Sequence, residues 1–370
     1  MNKLQLILLG IGAIAVGAWL FFGDQIKTEV AQEVFKPNDT TTKQTTEAVS
    51  SEPEVIATRL TVPWEIAFLP NGDMLVTERD GTLKLFGNNN AEFPISGVRQ
   101  AGEGGLLGLA IHPNFAQNNF IYLYFTTTNT TNKVVRYRLV NNQLTEDKTI
   151  IENIPGANNH DGGRIAFGPD KLLYITTGDA QQTSLAQDTN SLAGKILRIT
   201  EEGAVPSDNP FNNPVYSYGH RNPQGLAWDS QGKLWSTEHG RSGTSTGLDE
   251  LNLIERGANY GWPTIAGDET RDGMKRPAAH SGSKTTWAPS GMAIYNNTVY
   301  FAGLRGQAIY QTNISGNSVG PVTSQFFSQY GRLRAVTVHD GYLYFSTSNR
   351  DGRGRAATED DRIIRIKLQS

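Results

Sequence analysis

One pattern recurs six times along this chain: an apolar run, a tight turn and a second apolar run. In the clearest copy, residues 66–77, the turn Pro70-Asn71-Gly72-Asp73 separates two such runs. Turns of this kind join neighbouring antiparallel strands. The other copies cover residues 107–126, 164–178, 225–237, 291–301 and 334–346. The pattern predicts an all-β chain built from repeated hairpins.

The spacing of the hairpins favours one all-β architecture. Six units in about 315 residues give roughly 50 residues each, the size of a four-stranded antiparallel propeller blade. A β-sandwich is the alternative, but it does not require turns at the same phase in six successive units. We therefore predict a six-bladed β-propeller of four-stranded antiparallel blades over residues 56–370.

The residues before the repeats have a different character. Residues 4–22 are apolar except for Gln5, and about 20 such residues can span a bilayer or direct export. We assign residues 1–23 to an apolar helix that is a signal anchor or a signal peptide, and favour the uncleaved anchor because no clean cleavage site follows. Residues 24–55 contain too few apolar groups for a core and are predicted to be a flexible linker. This organisation predicts a periplasmic or extracytoplasmic protein tethered to the inner membrane.

Composition excludes several classes of function. The chain has 33 basic and 36 acidic residues, whereas proteins that bind duplex nucleic acid are usually basic. It contains no cysteine, which excludes disulfides, thiolate metal sites and cysteine nucleophiles. It also lacks the Gly-x-Ser-x-Gly elbow of many hydrolases and a closely spaced histidine pair of the zinc type.

The phase of the repeat predicts where functional residues meet. In a propeller, the first strand of each blade starts, and the second strand ends, at the same end of the central axis. We call this end the mouth; it is formed by residues 64–65, 103–105, 158–161, 219–224, 287–290 and 331–334 and by residues 78–80, 179–181, 238–241, 304–306 and 349–351. The opposite end, with turns such as 70–73, 168–171, 229–232 and 339–341, is the turn face. Only the mouth is dense in ionisable, amide and aromatic residues, which indicates a binding or catalytic site.

Arginine and histidine are the most informative residues of the predicted mouth. Arg221, Arg305, Arg332 and Arg334 come from three blades, and arginines grip carboxylates or phosphates through paired hydrogen bonds. His160 lies in a Gly-rich loop and is the candidate general base, because histidine titrates near neutral pH. These residues predict a site for an acidic ligand beside a base.

A segment of the fourth repeat carries possible oxygen ligands. Asp249-Glu250 is followed by the tight turn Asn259-Tyr260-Gly261-Trp262-Pro263. Calcium takes carboxylate and backbone oxygens. The residues themselves leave a calcium site and a pair of solvated loop charges equally open.

At these positions the sequence resembles a known family. Residues 102–108, 158–164, 218–225, 249–252, 259–263, 287–291 and 332–334 are similar, in the expected order, to motifs of the soluble aldose sugar dehydrogenases, also called glucose/sorbosone dehydrogenases. The likeness spans about residues 56–368. It implies a six-bladed propeller that uses pyrroloquinoline quinone (PQQ) and calcium.

The resemblance implies a role for each candidate residue. His160 would take the proton from the anomeric hydroxyl of an aldose, a hydride would pass from that carbon to PQQ, and Arg221 would stabilise the developing charge. The implied PQQ contacts are Glu103, Arg221, Asn222, Arg305, Arg332 and Arg334. The implied calcium ligands are the carbonyl groups of Gly240, Arg241 and Tyr260 with the side chain of Glu250, and Trp287 would wall the sugar pocket. Electrons would leave to an artificial or respiratory-chain acceptor, and the protein would be a monomer or a dimer.

Three positions depart from the family pattern. Glu103 stands where the family usually has glutamine, and Arg305 replaces a lysine. Arg241 replaces a proline in a loop that is also longer here. We expect altered cofactor affinity rather than loss of activity, because the base and the main arginines are present.

Two other functions compete with this interpretation. A calcium-dependent lactonase or esterase also uses six-bladed propellers, but it needs several carboxylates around one ion, and the mouth is richer in arginine than in acids. A non-catalytic propeller that binds a glycan or a protein would not need His160 or the arginine set. Both alternatives are therefore disfavoured.

Overall fold

A computed structural model of the protein describes residues 52–241 and 247–369. The predicted anchor and nearly all of the predicted linker lie outside these residues. Within the described part of the chain, no helix is long and apolar enough to cross a membrane.

The described residues form six antiparallel sheets arranged as the blades of a propeller, as predicted. Strand β1 (Glu54–Ala57) precedes the first blade. Blade one contains β2 (Pro63–Phe68), β3 (Met74–Glu78), β4 (Thr82–Phe86) and β5 (Ala91–Pro94). Blade two contains β6 (Leu106–Ile111), β7 (Phe120–Thr126), β8 (Thr131–Val140) and β9 (Gln143–Pro155), with the short helix α1 (Phe115–Asn118) between its first two strands. Blade three contains β10 (Ile165–Phe167), β11 (Leu173–Thr177), β12 (Lys195–Ile199) and β13 (Val215–Tyr218), with a 3-10 helix at Thr183–Gln187.

The remaining blades vary this plan slightly. Blade four contains β14 (Pro223–Trp228), β15 (Leu234–Glu238), β16 (Glu250–Ile254) and β17 (Ala279–His280). Blade five contains β18 (Pro289–Tyr295), β19 (Thr298–Gly303) and β20 (Ile309–Ser315), and its outer position is shared by β21 (Ser318–Val319) and β22 (Thr323–Gln325), which both pair with β20. Blade six contains β23 (Leu333–His339), β24 (Tyr342–Thr347) and β25 (Ile363–Lys367).

The two ends of the propeller sequence close the ring. Strand β1 pairs antiparallel with β25 and forms the outer strand of blade six, with Glu54 opposite Arg365 and Val55 opposite Ile364. The sheet thus includes Glu54 and Val55, which the sequence analysis placed in the linker. Such pairing ties the first and last blades together and leaves no gap in the ring.

Apolar clusters between neighbouring blades form the core. The alternation of each strand places one apolar face against each neighbouring blade. Leu75 and Leu83 of blade one pack against Leu109 and Leu123 of blade two. Burying such a side chain contributes about 1.5–3 kcal/mol. The blades are therefore held to one another by six apolar clusters, one between each pair of neighbouring blades.

The central axis is polar. Arg164 forms an ion pair with Glu65 and donates from Nε to the carbonyl of Gln224 (2.8 Å). Hydroxyl groups of the second strands donate to carbonyl groups of the next blade: Thr77 to Leu107, Thr237 to Ser290 and Ser346 to Pro63. These bonds fix the inner strands to one another, so the positions of the loops at the mouth follow from the fold.

Candidate functional site

Hydrogen bonds between blades three and four bring their loops together at the mouth. The amide of Gly162 donates to Asn222 Oδ1 (3.0 Å), and the amide of Asp179 donates to the carbonyl of Arg221 (2.8 Å). The predicted site residues at the strand ends around the mouth are Glu103, His160, Arg221, Asn222, Gly240, Arg305, Arg332 and Arg334. Residues far apart in the sequence therefore share one rim.

His160 forms a histidine–carboxylate pair at this rim. Its Nδ1 lies 2.7 Å from Asp179 Oδ1, and 15% of the His160 side chain is exposed while Asp179 is fully buried. The other oxygen of Asp179 accepts a hydrogen bond from Trp262 Nε1 (2.8 Å). Asp179 is thus fixed by its neighbours and in turn fixes the imidazole, which is the arrangement of an oriented general base.

The backbone of His160 is also unusual. Its φ of 67° lies in the left-handed region, which few residues other than glycine adopt. The His160 amide donates to Glu103 Oε2 (3.1 Å), and a Cβ on Gly178 would lie 1.9 Å from the His160 carbonyl oxygen. Strained backbone of this kind persists where surrounding contacts enforce it, and it concentrates at functional sites.

Arg221 faces the same region from blade four. Its guanidinium lies 5.3 Å from the centre of the Trp262 ring, and Nη1 donates to the carbonyl of His239 (3.4 Å). Burial lowers the pKa of Arg221, although the Asp179 carboxylate opposes this shift. Trp262 therefore contacts both Asp179 and Arg221 and couples their positions.

Several buried arginines accumulate positive charge at the mouth. Arg79, Arg305, Arg332 and Arg334 are each at most 9% exposed. Burial lowers the pKa of Arg334 to about 9, and repulsion from Arg79 acts in the same direction. Burial likewise lowers the pKa values of Arg79 and Arg305. Like charges in a buried site are costly, and an anionic ligand would remove that cost.

The polar atoms of this region differ in the hydrogen bonds that the protein supplies. Arg332 donates from Nε and Nη2 to Asp351 Oδ2 (2.9 and 2.8 Å). In contrast, no described residue forms a hydrogen bond with the buried atoms Arg79 Nε and His239 Nε2. Burial lowers the pKa of His239 to about 4, so this imidazole is neutral at physiological pH. Buried polar atoms without partners are rare in folded proteins, and a ligand or a water molecule can complete them.

The four predicted calcium ligands Gly240, Arg241, Glu250 and Tyr260 line one small cavity in blade four. Burial and the neighbouring Glu238 carboxylate raise the pKa of Glu250 to about 8. Among the described residues, no group of three or more histidine, aspartate or glutamate side chains is arranged to hold a metal. A cation here would need backbone carbonyl groups in addition to Glu250.

Trp287 lies in a different environment from the rest of the predicted set. Its indole is 2% exposed and packs in the core between blades four and five, with ring centres 5.2 Å from Phe301 and 5.6 Å from Tyr310. Its amide donates to the Asp249 carboxylate (2.7 Å). A direct contact between this ring and a sugar stays a prediction.

Four residues of the site had no role assigned from the sequence. Asp179 orients His160, Asp351 pairs with Arg332, and Trp262 bridges Asp179 and Arg221. Arg353, in the loop between β24 and β25, donates to Glu103 Oε1 (2.8 Å). Asp179 and Asp351 stand where second strands end, so the repeat phase gave their location but not their partners.

The fold and the site together define a class of protein. It is a six-bladed propeller in which a histidine paired with a buried carboxylate shares one rim with several buried arginines, an arrangement chemically suited to an anionic ligand.

Comparison with known proteins identifies the family. The sequence profile described as Glucose / Sorbosone dehydrogenase matches residues 60–364. The chain is 33% identical over 339 residues to aldose sugar dehydrogenase YliI of Escherichia coli K12, covering 81% of this chain and 90% of that protein. It is 34% identical over 256 residues to quinoprotein glucose dehydrogenase B of Acinetobacter calcoaceticus, covering 58% of this chain and 52% of that protein. The solved structure of PQQ-bound aldose sugar dehydrogenase from Streptomyces coelicolor is similar with a TM-score of 0.81 and 40% identity, covering 87% of this chain and 99% of that chain. The chain belongs to the glucose/sorbosone dehydrogenase family, as its motifs predicted.

Proposed function

We propose that this protein uses PQQ to oxidise aldose sugars at the anomeric carbon, giving the lactone. One observation carries the proposal: the oriented base His160 lies on the same rim as the buried arginines that an acidic ligand would neutralise. The PQQ-bound relative and the quinoprotein relative support the choice of this acidic ligand.

The residues of the mouth fit PQQ, a planar quinone with several carboxylates. Arg305, Arg332 and Arg334 would pair with its carboxylates, while Arg221 and Asn222 would hold the quinone oxygens. The buried atoms Arg79 Nε and His239 Nε2, which have no hydrogen-bond partner within the described part of the chain, also fit a site that is completed by a ligand. When bound, PQQ would supply the acceptor for the hydrogen and the electron pair that leave the sugar.

The chain's own contribution to the reaction is the removal of a proton. His160 Nδ1–H donates to Asp179, which leaves Nε2 as the basic atom that takes the proton from the anomeric hydroxyl. The Asp179 carboxylate then stabilises the imidazolium that forms. Arg221, held over Trp262, would stabilise negative charge that develops next to the reacting carbon.

Calcium is a second proposed component. The carbonyl groups of Gly240, Arg241 and Tyr260 would supply neutral oxygens, and Glu250 would supply a carboxylate. The raised pKa of Glu250 beside Glu238 supports this proposal, because a divalent cation would offset two neighbouring buried carboxylates. The Arg241 side chain is turned to Glu269 (3.6 Å). Since a guanidinium has no acceptor atom, the backbone carbonyl is the ligand that Arg241 would offer to the cation.

We also propose that the propeller acts outside the cytoplasm. The apolar residues 4–22 support export and a tether to the inner membrane. Electrons would then pass to a respiratory-chain acceptor, with a dye as its artificial substitute.

Reconstitution of the purified full-length protein tests the proposed reaction. Dye reduction is measured with aldoses in four mixtures: with PQQ and calcium, with each alone, and with neither. We expect reduction only when PQQ is present and the highest rate when calcium is present too. The same mixtures are given a sugar lactone, and hydrolysis of the lactone without dye reduction would replace the dehydrogenase by the lactonase alternative.

A further inference from the structure

Glu103 is a carboxylate in the middle of the arginine group. It lies in the loop before β6, and its electrostatic interaction reaches Arg79, Arg221 and Arg334. A negative charge at this place weakens the attraction of the mouth for any anionic ligand, because the site is buried and poorly screened. The structure shows which groups bind the Glu103 carboxylate.

The two carboxylate oxygens of Glu103 have different partners. Oε2 accepts the backbone amide of His160 (3.1 Å), and Oε1 accepts Nη1 of Arg353 (2.8 Å). The amide of Glu103 also donates to the carbonyl of Asn158 (2.8 Å). Glu103 is therefore bound at both ends to the loop that carries the base, and its charge is paired with one arginine.

Arg353 reaches Glu103 from blade six and contacts the same loop. Its Nη2 donates to Asn159 Oδ1 (2.9 Å), and its amide donates to Asp351 Oδ1 (2.9 Å). Asp351 is the carboxylate that pairs with Arg332. Arg353 thus connects the loop of His160 to the loop that anchors the predicted cofactor arginines.

We propose that Arg353 and Glu103 form a charge-neutral clamp, in which Glu103 fixes the backbone of His160 and Arg353 cancels the charge that Glu103 would otherwise place beside the cofactor. Arg353 is then a positioning residue, which is needed as long as position 103 carries a carboxylate. The inference rests on the proposed use of PQQ. It predicts that loss of Arg353 is harmful mainly because Glu103 remains.

The test is a double-mutant cycle read by PQQ affinity. Wild type, Arg353→Met, Glu103→Gln and the double variant, all as apo full-length protein with calcium, are titrated with PQQ by quenching of tryptophan fluorescence. We expect Arg353→Met to weaken binding about 30-fold, Glu103→Gln to bind PQQ at least as tightly as wild type, and the double variant to stay within about 3-fold of wild type. Equal weakening in Arg353→Met and in the double variant would overturn the clamp.

Two further variants separate charge from folding. Arg353→Lys keeps the positive charge, so its PQQ affinity should stay within about 5-fold of wild type. Arg350→Met removes a neighbouring arginine that donates within blade six, to the Asp360 carbonyl (2.6 Å), and should also bind normally. Thermal melting of each variant shows that it is folded. If wild type itself does not bind PQQ, the proposed function fails; if wild type and Arg353→Met bind equally well, only the clamp fails.

Discussion

The mouth and the turn face of this propeller are built from the same hairpins, yet Asp229 at the turn face and Asp179 at the mouth have different kinds of partner. At the turn face, Asp229 accepts the amide of Gln231 (2.9 Å) and Nε1 of Trp235 (3.0 Å), both in its own hairpin. At the mouth, Asp179 holds His160 and Trp262, which lie in other loops. Asp229 thus stabilises a single turn, whereas Asp179 joins loops from different blades.

The balance of charge differs in the same way. Arg198 near the turn face is matched by Asp170 (3.0 Å) and Asp208 (2.9 Å). At the mouth, the buried arginines Arg79, Arg332 and Arg334 repel one another. The apolar clusters between the blades hold these arginines at the mouth. The comparison teaches that one repeat can stabilise the fold at one end of the propeller, while the buried charges at the other end are balanced only when a ligand binds.

The largest difference between the two ends should appear in cofactor binding. Arg332→Met combined with Arg334→Met should weaken PQQ binding about 1,000-fold, because two buried charged hydrogen-bond donors are lost. Arg198→Met is the matched change near the turn face and should leave PQQ affinity within about 2-fold. Affinities come from fluorescence titration, after thermal melting has shown that each variant is folded. Normal PQQ binding by the double variant would remove the carboxylate-clamp role.

A second difference concerns stability and activity together. The buried Asp249 carboxylate accepts hydrogen bonds from Gly240, Thr286, Trp287 and Ala288. Asp249→Ala should lower the free energy of unfolding by about 3 kcal/mol and lower the activity of the folded fraction, because these bonds join two loops of the mouth. Asp229→Ala should cost about 1–2 kcal/mol with normal activity per folded molecule. Urea unfolding and dye reduction measure the two effects, and equal loss of activity in both variants would contradict the distinction.

The smallest predicted difference is a dependence of stability on pH. Burial raises the pKa of Asp161 at the mouth to about 6, from an ordinary value of 3.8, and no residue that the structure describes forms a hydrogen bond with its Oδ2. The folded protein therefore binds more protons than the unfolded chain between these values, so this group destabilises the fold as pH rises through them. Relative to wild type, Asp161→Asn should gain about 2 kcal/mol of unfolding free energy between roughly pH 4 and pH 7. A constant difference across this range would show that Asp161 ionises normally.

Much of the fold could be predicted from the sequence because a propeller repeats its signals. The turn Pro70-Asn71-Gly72-Asp73 and its counterparts recur at one phase, and that phase assigned each loop to the mouth or to the turn face. The closing strand β1 could not be placed, because its partner β25 lies at the other end of the chain and the segment around Glu54 reads like a linker. Closure of the ring depends on this pairing between residues far apart in the sequence, and the sequence near each strand does not indicate its partner.

The sequence predicted which residues lie at the mouth, but it did not predict which side chains pair with one another. The repeat phase placed His160 and the arginines at one end, and the family motifs suggested their roles. The pairs His160–Asp179 and Glu103–Arg353 depend on side-chain directions across blades, which no spacing encodes. The direction of the Trp287 side chain could not be predicted either. A large aromatic residue next to the mouth stabilises the fold when its ring packs into the core, as this one does.

The most direct test of the account is a single-turnover measurement. Wild type, His160→Asn and His339→Asn are loaded with PQQ and calcium and mixed with glucose without oxygen, and the spectrum of the bound cofactor is followed. His339 stacks on Phe68 at the turn face (ring centres 4.0 Å apart), so its variant is the matched control. We predict rapid reduction of PQQ in wild type and His339→Asn, and reduction at least about 1,000-fold slower in His160→Asn with PQQ still bound. Reduction at the wild-type rate in His160→Asn, or a wild type that binds PQQ but is reduced by no aldose, would contradict the account.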